Sequence, residues 1–343
     1  MTALALQTDV DSATDRLGRP LRDLRISVID RCNFRCPYCM PRTHYGPGHQ
    51  FLKRREQLSV DEIERLAGVF VSLGVTKIRL TGGEPLLRAE LVEIVARLSA
   101  LGVPDLALTT NGSLLRRWAV RLRRAGLHRV TVSLDSLDPA VFAAMSDTHV
   151  DVSEVLDGIA AARDAGLDPI KLNCVVRRGV NDATLLTLVE YARREHLMLR
   201  FIEYMDVGTS NGWTKEEVVP GDEIVERVSR AYALVEGIGN PPGVARVYRF
   251  ADGGGELGLI TSVSQPFCGD CTRARLGVDG RLYTCLFATA GIDLRGPLRD
   301  GVDDDALRQL VLSRWQRRTD RYSEIRSSTT TSLRRIEMSY IGG

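Results

Sequence analysis

The strongest constraint on the fold is an alternation of short apolar runs and longer amphipathic stretches that starts at Leu21 and continues to about Gly208. The amphipathic stretches carry apolar residues at helical spacing, and the first begins with Ser59 and Glu62 at the spacing of a capping box. This alternation predicts an α/β fold with a parallel sheet and right-handed crossovers, either an open doubly wound sheet or a barrel. The six strand-like runs are LRISVID, VTKIRLTGG, DLALTTNG, RVTVSLDSL, DPIKLNCVV and LMLRFIEYM.

The pattern divides the chain into three parts. Residues 1–20 are small and polar without a sustained period, so we expect a mobile N-terminal tail. Residues 21–215 contain the six strand-like runs. In the C-terminal region, residues 216–343, the alternation stops; there 244–263 predict two strands joined by a glycine-rich turn, and 303–318 predict a helix.

Composition and charge exclude several classes of protein. A chain of 343 residues is long enough for one large or two ordinary domains and needs no disulfides for stability. Its 46 basic and 44 acidic residues give a net charge of +2, so no overall field favours nucleic acid or an acidic membrane. No apolar run approaches the roughly 20 residues of a membrane span, and the N-terminus lacks the features of a signal peptide. We expect a cytoplasmic protein without nucleic-acid or membrane partners.

Three cysteines follow the first strand-like run with the spacing Cys32-x3-Cys36-x2-Cys39, here called the first cysteine set. Seven cysteines in a chain without an export signal argue against a disulfide framework, and thiolates are soft ligands for zinc, copper(I) and iron–sulfur clusters. A structural zinc site takes four ligands, whereas three thiolates on a [4Fe–4S] cluster leave one iron open for a substrate. The spacing favours the open cluster, with zinc and an incidental grouping as alternatives.

A second cysteine set, Cys268, Cys271 and Cys285, lies in the C-terminal region. Zinc is a stronger competitor here, because a CxxC pair with a distant cysteine lacks only one ligand. Cys174 lies in an apolar strand-like run and is expected to be a buried core residue rather than that ligand. Without a fourth ligand, the second set predicts a second open cluster.

Cations occur within several of the strand-like runs. Arg273 and Arg275 are two residues apart and share a face of a strand, and guanidinium groups bind phosphate in a bidentate manner. Each such cation alone is compatible with a solvated strand edge. Together they indicate a polyanionic small molecule, for which a triphosphate is suitable. The other embedded cations are Arg25, Lys77, Arg79 and Lys171.

The motif CNFRCPYC after a strand, followed by a GGEP turn at residues 82–85, resembles the radical S-adenosylmethionine (SAM) enzymes. This resemblance implies an incomplete TIM-type (βα)6 barrel in which Cys32, Cys36 and Cys39 hold a [4Fe–4S] cluster. The open iron of that cluster chelates SAM, and one electron then splits SAM into methionine and a 5′-deoxyadenosyl radical. The glycines of the turn are expected to let the backbone approach SAM closely.

The C-terminal CxxCxRxR…C motif, the segment FIEYMDVG and the final Gly-Gly narrow the resemblance to the GTP 3′,8-cyclase family of molybdenum cofactor biosynthesis, whose members are lyases. The resemblance implies a C-terminal extension in which Cys268, Cys271 and Cys285 hold a second [4Fe–4S] cluster that binds the guanine base. The implied SAM-binding residues are Tyr38, Gly83, Ser133 and Met205, and the implied GTP-binding residues are Arg25, Arg79, Thr109, Lys171, Arg273 and Arg275. In the GTP-binding set, Thr110 is an alternative to Thr109, and Lys77 and Arg200 are weaker additions. Arg273 and Arg275 are also implied in catalysis.

The same resemblance implies a reaction and its partners. GTP is converted to (8S)-3′,8-cyclo-7,8-dihydroguanosine 5′-triphosphate, a flavodoxin- or ferredoxin-like protein supplies the electron, and a separate cyclic pyranopterin monophosphate synthase takes the product. The oligomeric state stays open, a homodimer being one candidate. Two alternatives remain: a peptide-modifying radical SAM enzyme with an auxiliary cluster, and a non-catalytic metal-binding redox module.

Overall fold

A computed structural model describes residues 13–237, 244–327 and 333–342. Its first part alternates strands and helices as the sequence predicts. The elements are β1 Asp23–Ser27, α1 Val60–Ser72, β2 Lys77–Thr81, α2 Leu91–Ala100, β3 Asp105–Thr110, α3 Leu115–Arg124, β4 Arg129–Ser133, α4 Pro139–Ser146, α5 Val152–Asp164, β5 Lys171–Val176, α6 Leu185–Arg194 and β6 Met198–Glu203.

The C-terminal region adds further strands and helices. The two strands predicted within 244–263 and the helix predicted near 303–318 are both present. Among the described residues, the elements are α7 Gly221–Ser229, β7 Leu234–Glu236, β8 Arg246–Phe250, β9 Glu256–Ile260, β10 Arg273–Leu276, β11 Arg281–Tyr283, β12 Ile292–Asp293, α8 Arg295–Arg299, α9 Asp304–Gln316 and a last helical turn at Met338–Ile341.

All of these strands belong to one sheet, in the order β12-β11-β10-β1-β2-β3-β4-β5-β6-β9-β8-β7. Strands β1 to β6 are parallel neighbours, as predicted, and β10 and β9 extend them in parallel on either side. The outer strands on both edges are antiparallel hairpin partners. The C-terminal region therefore completes both edges of the sheet, and the boundary predicted near residue 215 does not separate two sheets.

The sheet curls around a central space. Arg273 on β10 and Arg200 on β6 are separated by six strand-to-strand steps, which would span about 29 Å in a flat sheet with roughly 4.8 Å between neighbours. Both side chains nevertheless line one cavity. Among the described residues, the edge strands β7 and β12 do not pair with each other, so the barrel is incomplete, as the sequence predicts.

Side chains alternate between the two faces of the parallel strands. Leu24, Ile26, Ile78 and Leu80 point outward and are fully buried against the helices, whereas the residues between them face the central space. The outward face therefore holds the hydrophobic core, and the polar inward face is available for a ligand. None of the helices in the described ranges combines the length and low polarity that crossing a bilayer needs.

The first described residues correct the predicted tail. Ala13 is buried, and Thr14 forms a β-bridge with Pro20. Asp15 and Arg19 form a buried ion pair with a distance of 2.6 Å between Asp15 Oδ2 and Arg19 Nε. Residues 13–20 are thus packed rather than mobile, because a buried charge pair anchors them, and residues 1–12 lie outside the described part of the chain.

Helix capping and close contacts between helices fix the positions of the helices on the outward face of the sheet. The predicted capping box at Ser59 and Glu62 is present, with each side chain accepting from the other residue's backbone N–H. Helices α3 and α5 meet at Gly158, where a Cβ atom would lie 2.4 Å from the carbonyl oxygen of Gly112 and 3.1 Å from Leu115 Cβ. Glycine at 158 therefore allows these two helices to touch.

We expect Gly158→Ala to destabilise the protein by about 1–3 kcal/mol, because the added methyl group overlaps a backbone oxygen. Gly68 in α1 is a matched control, since a Cβ there meets only Leu101 Cδ2 at 4.0 Å. Gly68→Ala should stabilise the fold by roughly 0.5–1 kcal/mol, the usual gain in a helix interior. Urea unfolding of the reduced apoprotein measures both, and equal midpoint shifts for the two variants would contradict this packing.

Candidate active site

The first cysteine set lies in the loop after the carboxyl end of β1. There the backbone N–H of Cys39 donates to the Cys36 carbonyl oxygen at 2.9 Å. The loop packs on the turn after β2, where Gly83 N–H donates to the Ile29 carbonyl oxygen at 2.8 Å. A Cβ atom on Gly83 would lie 2.2 Å from the carbonyl oxygen of Arg31. The glycine therefore brings the turn against the cysteine loop itself, a contact that the sequence did not suggest.

Glu84 of the same turn links β2, β3 and the cysteine loop. Its carboxylate is buried and accepts hydrogen bonds from Leu86 N at 3.0 Å, Thr110 Oγ1 at 2.7 Å and Asn111 N at 2.8 Å. Burial, opposed by these donors, raises the pKa of Glu84 to about 7. Asn111 in turn places its amide nitrogen 3.9 Å from Cys32 Sγ. Glu84 thus positions the end of β3 beside the first cysteine set.

The thiols of the first cysteine set are half-buried and influence one another. Burial raises the pKa of Cys32 to about 12 and raises that of Cys36 and Cys39 well above the ordinary range. The pKa of Cys36 also rises because Cys39 and Cys32 are close to it. Loading the site with metal must therefore release the thiol protons, since thiolates and not thiols bind iron.

The other residues implied in SAM binding lie at the same carboxyl edge of the sheet. Ser133 is the last residue of β4, and Met205 follows the end of β6. The Tyr38 hydroxyl donates to Asp135 Oδ2 at 2.8 Å, and Asp135 Oδ1 accepts from Val175 N at 2.8 Å. Burial raises the pKa of Asp135 to about 6. Asp135, two residues after Ser133 at the end of β4, is a site residue that is not among the residues implied by the resemblance.

The second cysteine set lies at the opposite end of the parallel strands. Cys268 and Cys271 precede β10, which runs parallel to β1, and Cys285 follows the antiparallel β11. The two cysteine sets are therefore separated by about the length of β1, roughly 16 Å for its five residues at 3.3 Å each. Burial raises the pKa of Cys285 to about 12, whereas Arg273 and Arg318 outweigh burial at Cys271 and lower its pKa.

Neither cysteine set has the geometry of a single-ion site. Within the ranges that the structure describes, no three cysteine, histidine or carboxylate side chains converge closely enough to hold one metal ion. A four-iron cluster binds one thiolate at each of several irons and so requires a wider spacing of the thiols. Soft thiol donors, grouped in threes in half-buried loops, fit such a cluster.

A cavity of about 770 Å³ lies between the two ends of the strands. Its lining includes five of the six residues implied in GTP binding, and it also includes both weaker additions, Lys77 and Arg200. The sixth residue, Arg275, lies on the same face of β10 as Arg273, and its side chain is buried. The inward-facing cations are Arg25, Lys77, Arg79, Arg129, Lys171, Arg200, Arg273 and Arg275.

Two carboxylates neutralise only part of this charge. Asp23 pairs with Lys77 at 3.7 Å and with Arg273 at 3.8 Å. Asp105 pairs with Arg129 at 2.6 Å and with Lys77 at 3.8 Å. These acids and Arg129 were missed in the sequence, although Arg129 is two residues before inward-facing Thr131 and shares its face.

The other inward-facing cations form no ion pair with the residues that the structure describes. Among the residues that the structure describes, Arg25, Lys171 and Arg200 form no ion pair, and burial with neighbouring Arg200 and Arg129 lowers the pKa of Lys171 to about 7. Burial and Arg273 also lower the pKa of Arg25. Arginine keeps its proton at neutral pH, so the shift reflects uncompensated positive charge. The cavity therefore favours a ligand with several negative charges.

The structure distinguishes the two adjacent threonines. Thr109 lines the cavity, and its hydroxyl accepts a hydrogen bond from Arg79 Nη1 at 3.0 Å. Thr110 points to the other side of β3, where its hydroxyl donates to Glu84. Thr109 is consequently the threonine that a ligand in the cavity can contact.

The C-terminal tail reaches the carboxyl end of the barrel. Ile341 is buried, and the carbonyl oxygen of Gly342 accepts a hydrogen bond from Arg275 Nη1. A Cβ atom on Gly342 would lie 2.2 Å from Thr81 Cγ2. The first glycine of the Gly-Gly pair thus packs at the site, and Gly343 lies outside the described residues.

Two family models together match most of the chain. Residues 26–192 match the Radical SAM superfamily, and residues 197–324 match Molybdenum Cofactor Synthesis C. A GTP 3′,8-cyclase of Acidothermus cellulolyticus is 52% identical, with 96% of this chain and 98% of that protein covered. The chain belongs to the GTP 3′,8-cyclase family.

Other relatives support this membership. A GTP 3′,8-cyclase of Xanthomonas axonopodis pv. citri is 53% identical over 96% of this chain and 98% of the relative, and one of Staphylococcus aureus strain MRSA252 is 45% identical over 97% and 100%. The crystal structure of Streptococcus suis SuiB bound to S-adenosylmethionine matches 90% of this chain and 68% of SuiB with a TM-score of 0.60. At 14% identity, that similarity concerns the fold alone.

We expect affinity for inorganic triphosphate to fall as pH rises, because the Lys171 ammonium, with a pKa of about 7, loses its charge. A group that must be protonated costs about ten-fold in affinity for each pH unit above its pKa. Titration calorimetry from pH 6 to 8 should give a clearly smaller decrease for Lys171→Met than for the unmodified chain. The ionisation of triphosphate is common to both, so identical slopes would contradict the role of Lys171.

Proposed function

We propose that this protein is a radical SAM GTP 3′,8-cyclase that converts GTP to (8S)-3′,8-cyclo-7,8-dihydroguanosine 5′-triphosphate in molybdenum cofactor biosynthesis. The observation that carries this proposal is a partly uncompensated cationic cavity on the inward face of the parallel strands, with a set of three cysteines at each end of those strands. Membership of the GTP 3′,8-cyclase family supports the same conclusion.

Cys32, Cys36 and Cys39 would hold the first [4Fe–4S] cluster. When bound, this cluster supplies the electron that splits SAM and generates the hydrogen-abstracting 5′-deoxyadenosyl radical. The chain's own contribution is to hold SAM in place, for which we propose Tyr38, Gly83, Ser133 and Met205. Their common position at the carboxyl edge of the sheet supports this assignment, since βα barrels place their active sites at that edge.

Cys268, Cys271 and Cys285 would hold a second [4Fe–4S] cluster, which would supply a binding site for the guanine base. The lowered pKa of Cys271 supports a thiolate at this end of the cavity. The triphosphate would then contact the inward cations, which cost free energy while they are desolvated and unpaired. We propose that the GTP-binding residues are Arg25, Arg79, Thr109, Lys171, Arg273 and Arg275, with Lys77 and Arg200 beside them.

Positioning is the principal task of this protein scaffold. Charge-assisted hydrogen bonds from fixed guanidinium groups orient the triphosphate, so that ribose C3′ and guanine C8 are held in one place. The curled sheet excludes water from the radical chemistry. We further propose a flavodoxin- or ferredoxin-like electron donor and a downstream cyclic pyranopterin monophosphate synthase as partners.

The peptide-modifying alternative is less well supported. SuiB, whose fold is similar, has also been crystallised with its precursor peptide SuiA. A peptide substrate does not account for the cationic lining of the cavity here, whereas a triphosphate does. Anaerobic incubation with SAM, dithionite and GTP, followed by mass spectrometry, separates the two. GTP-dependent 5′-deoxyadenosine with a new product of GTP's mass is expected, and 5′-deoxyadenosine with unchanged GTP would contradict the cyclase assignment.

We expect the double variant Arg273→Ala/Arg275→Ala to lose cyclisation on the order of 100-fold or more, because each hydrogen bond to a charged group contributes about 1.5–3 kcal/mol. Arg178, which pairs with Glu223 outside the cavity, provides the matched control Arg178→Ala. Iron content should stay unchanged in both variants. Normal cyclisation by the double variant would show that these arginines do not bind the triphosphate.

A further inference from the structure

Three buried charged side chains lie against the loop of the second cysteine set and hold its backbone. We infer that Arg19, Arg318 and Asp15, here called the clamp, are positioning residues that retain the second cluster and set its reduction potential. This inference rests on the proposed function, because it takes Cys268, Cys271 and Cys285 as cluster ligands. The clamp residues are not cluster ligands, and none of the three lines the cavity described above.

The two arginines bind the backbone of the cysteines directly. Arg19 Nη1 donates to the Cys268 carbonyl oxygen at 2.7 Å, and Arg318 Nη1 donates to the Cys271 carbonyl oxygen at 2.7 Å. Both arginine side chains are almost completely buried, with 2% and 1% of their surface exposed. Asp15, fully buried, joins them: its Oδ2 lies 2.6 Å from Arg19 Nε and 3.2 Å from Arg318 Nη1.

The third cysteine, Cys285, is connected to the clamp through Asp320. Arg19 Nη1 also donates to the Asp320 carbonyl oxygen at 2.8 Å. The Asp320 carboxylate lies 3.4 Å from Arg318 Nε and accepts a hydrogen bond from Thr284 Oγ1 at 2.6 Å. Thr284 immediately precedes Cys285. The clamp thus determines the relative positions of all three cysteines, which are distant in sequence.

A purely structural role does not explain why charged side chains occupy these buried positions. Of the two carboxylates that face these guanidinium groups, only Asp15 is fully buried; Asp320 is 31% exposed, so solvent weakens its compensation of the buried positive charge. Within the described part of the chain, Arg19 Nη2 is buried and has no hydrogen-bond partner. A negatively charged cluster beside this site would compensate for that positive charge.

The sign of the charge makes the inference specific. Reduction adds an electron to the cluster, so positive charge nearby favours the reduced form and raises the potential. Arg318→Gln should therefore lower the potential of the second cluster. Asp15→Asn keeps the shape of the side chain but removes its negative charge, and it should raise the potential. Loss of packing alone would not shift the potential in opposite directions.

The test uses the full chain with Cys32, Cys36 and Cys39 replaced by Ala, so that bound iron reports the second cluster alone. We expect Arg19→Gln and Arg318→Gln to release iron to a chelator about ten-fold faster, the lower end of the usual effect of residues behind metal ligands. Spectroelectrochemical titration measures the potential. Arg318→Lys keeps the charge but loses the planar fork, so it should retain the potential while releasing iron faster.

Arg88 offers a matched control, because this buried arginine likewise donates to two backbone carbonyls, those of Val28 and Leu58. Arg88→Gln should leave the release rate and potential of the second cluster unchanged. The parent for these variants is the chain with Cys32, Cys36 and Cys39 replaced by Ala. If this parent binds no four-iron cluster at the second cysteine set, the proposed function fails, and this inference fails with it. If the parent binds the cluster but the clamp variants match the Arg88→Gln control, the clamp is overturned and the proposed function stands.

Discussion

Positive charge held inside the curled sheet is the constraint on which the rest of the structure depends. Strands packed edge to edge direct every second side chain inward, and several of those positions here carry arginine or lysine, whose ion pairs among the described residues include those with Asp23 and Asp105. Desolvating this positively charged inward face costs free energy unless an anion binds to it. The Gly342 carbonyl, bound to Arg275, offers partial compensation at one end of the barrel. A bound triphosphate would compensate for much more of this positive charge.

The two cysteine sets are located by different kinds of packing. The first depends on local contacts at the carboxyl edge, where Gly83 lets two backbones touch and Glu84 fastens the end of β3 beside Cys32. The second depends on contacts between distant parts of the chain, since the N-terminal Arg19 and the C-terminal Arg318 both hold its loop. Residues 13–20 therefore pack against the loop of the second cysteine set and do not form a tail.

Much of this was accessible from sequence because it follows from periodicity. Alternation along the runs predicted the six strands, and the two-residue spacing predicted that Arg273 and Arg275 share a face. What sequence could not supply was pairing over long distances. Nothing local indicates that β10 lies beside β1, or that Asp23 pairs with Arg273. The packed segment 13–20 was missed for the same reason, because its partners lie about 300 residues away.

The central claim is that SAM at one end of the cavity and GTP at the other react directly. The most direct test is transfer of the isotope from GTP deuterated at ribose C3′, in the anaerobic reaction with both clusters loaded. This account predicts deuterium in the 5′-deoxyadenosine and none when the label is placed at another ribose carbon. Cyclised product accompanied by unlabelled 5′-deoxyadenosine would contradict it, because the 5′-deoxyadenosyl radical would then not take its hydrogen from ribose C3′ of GTP.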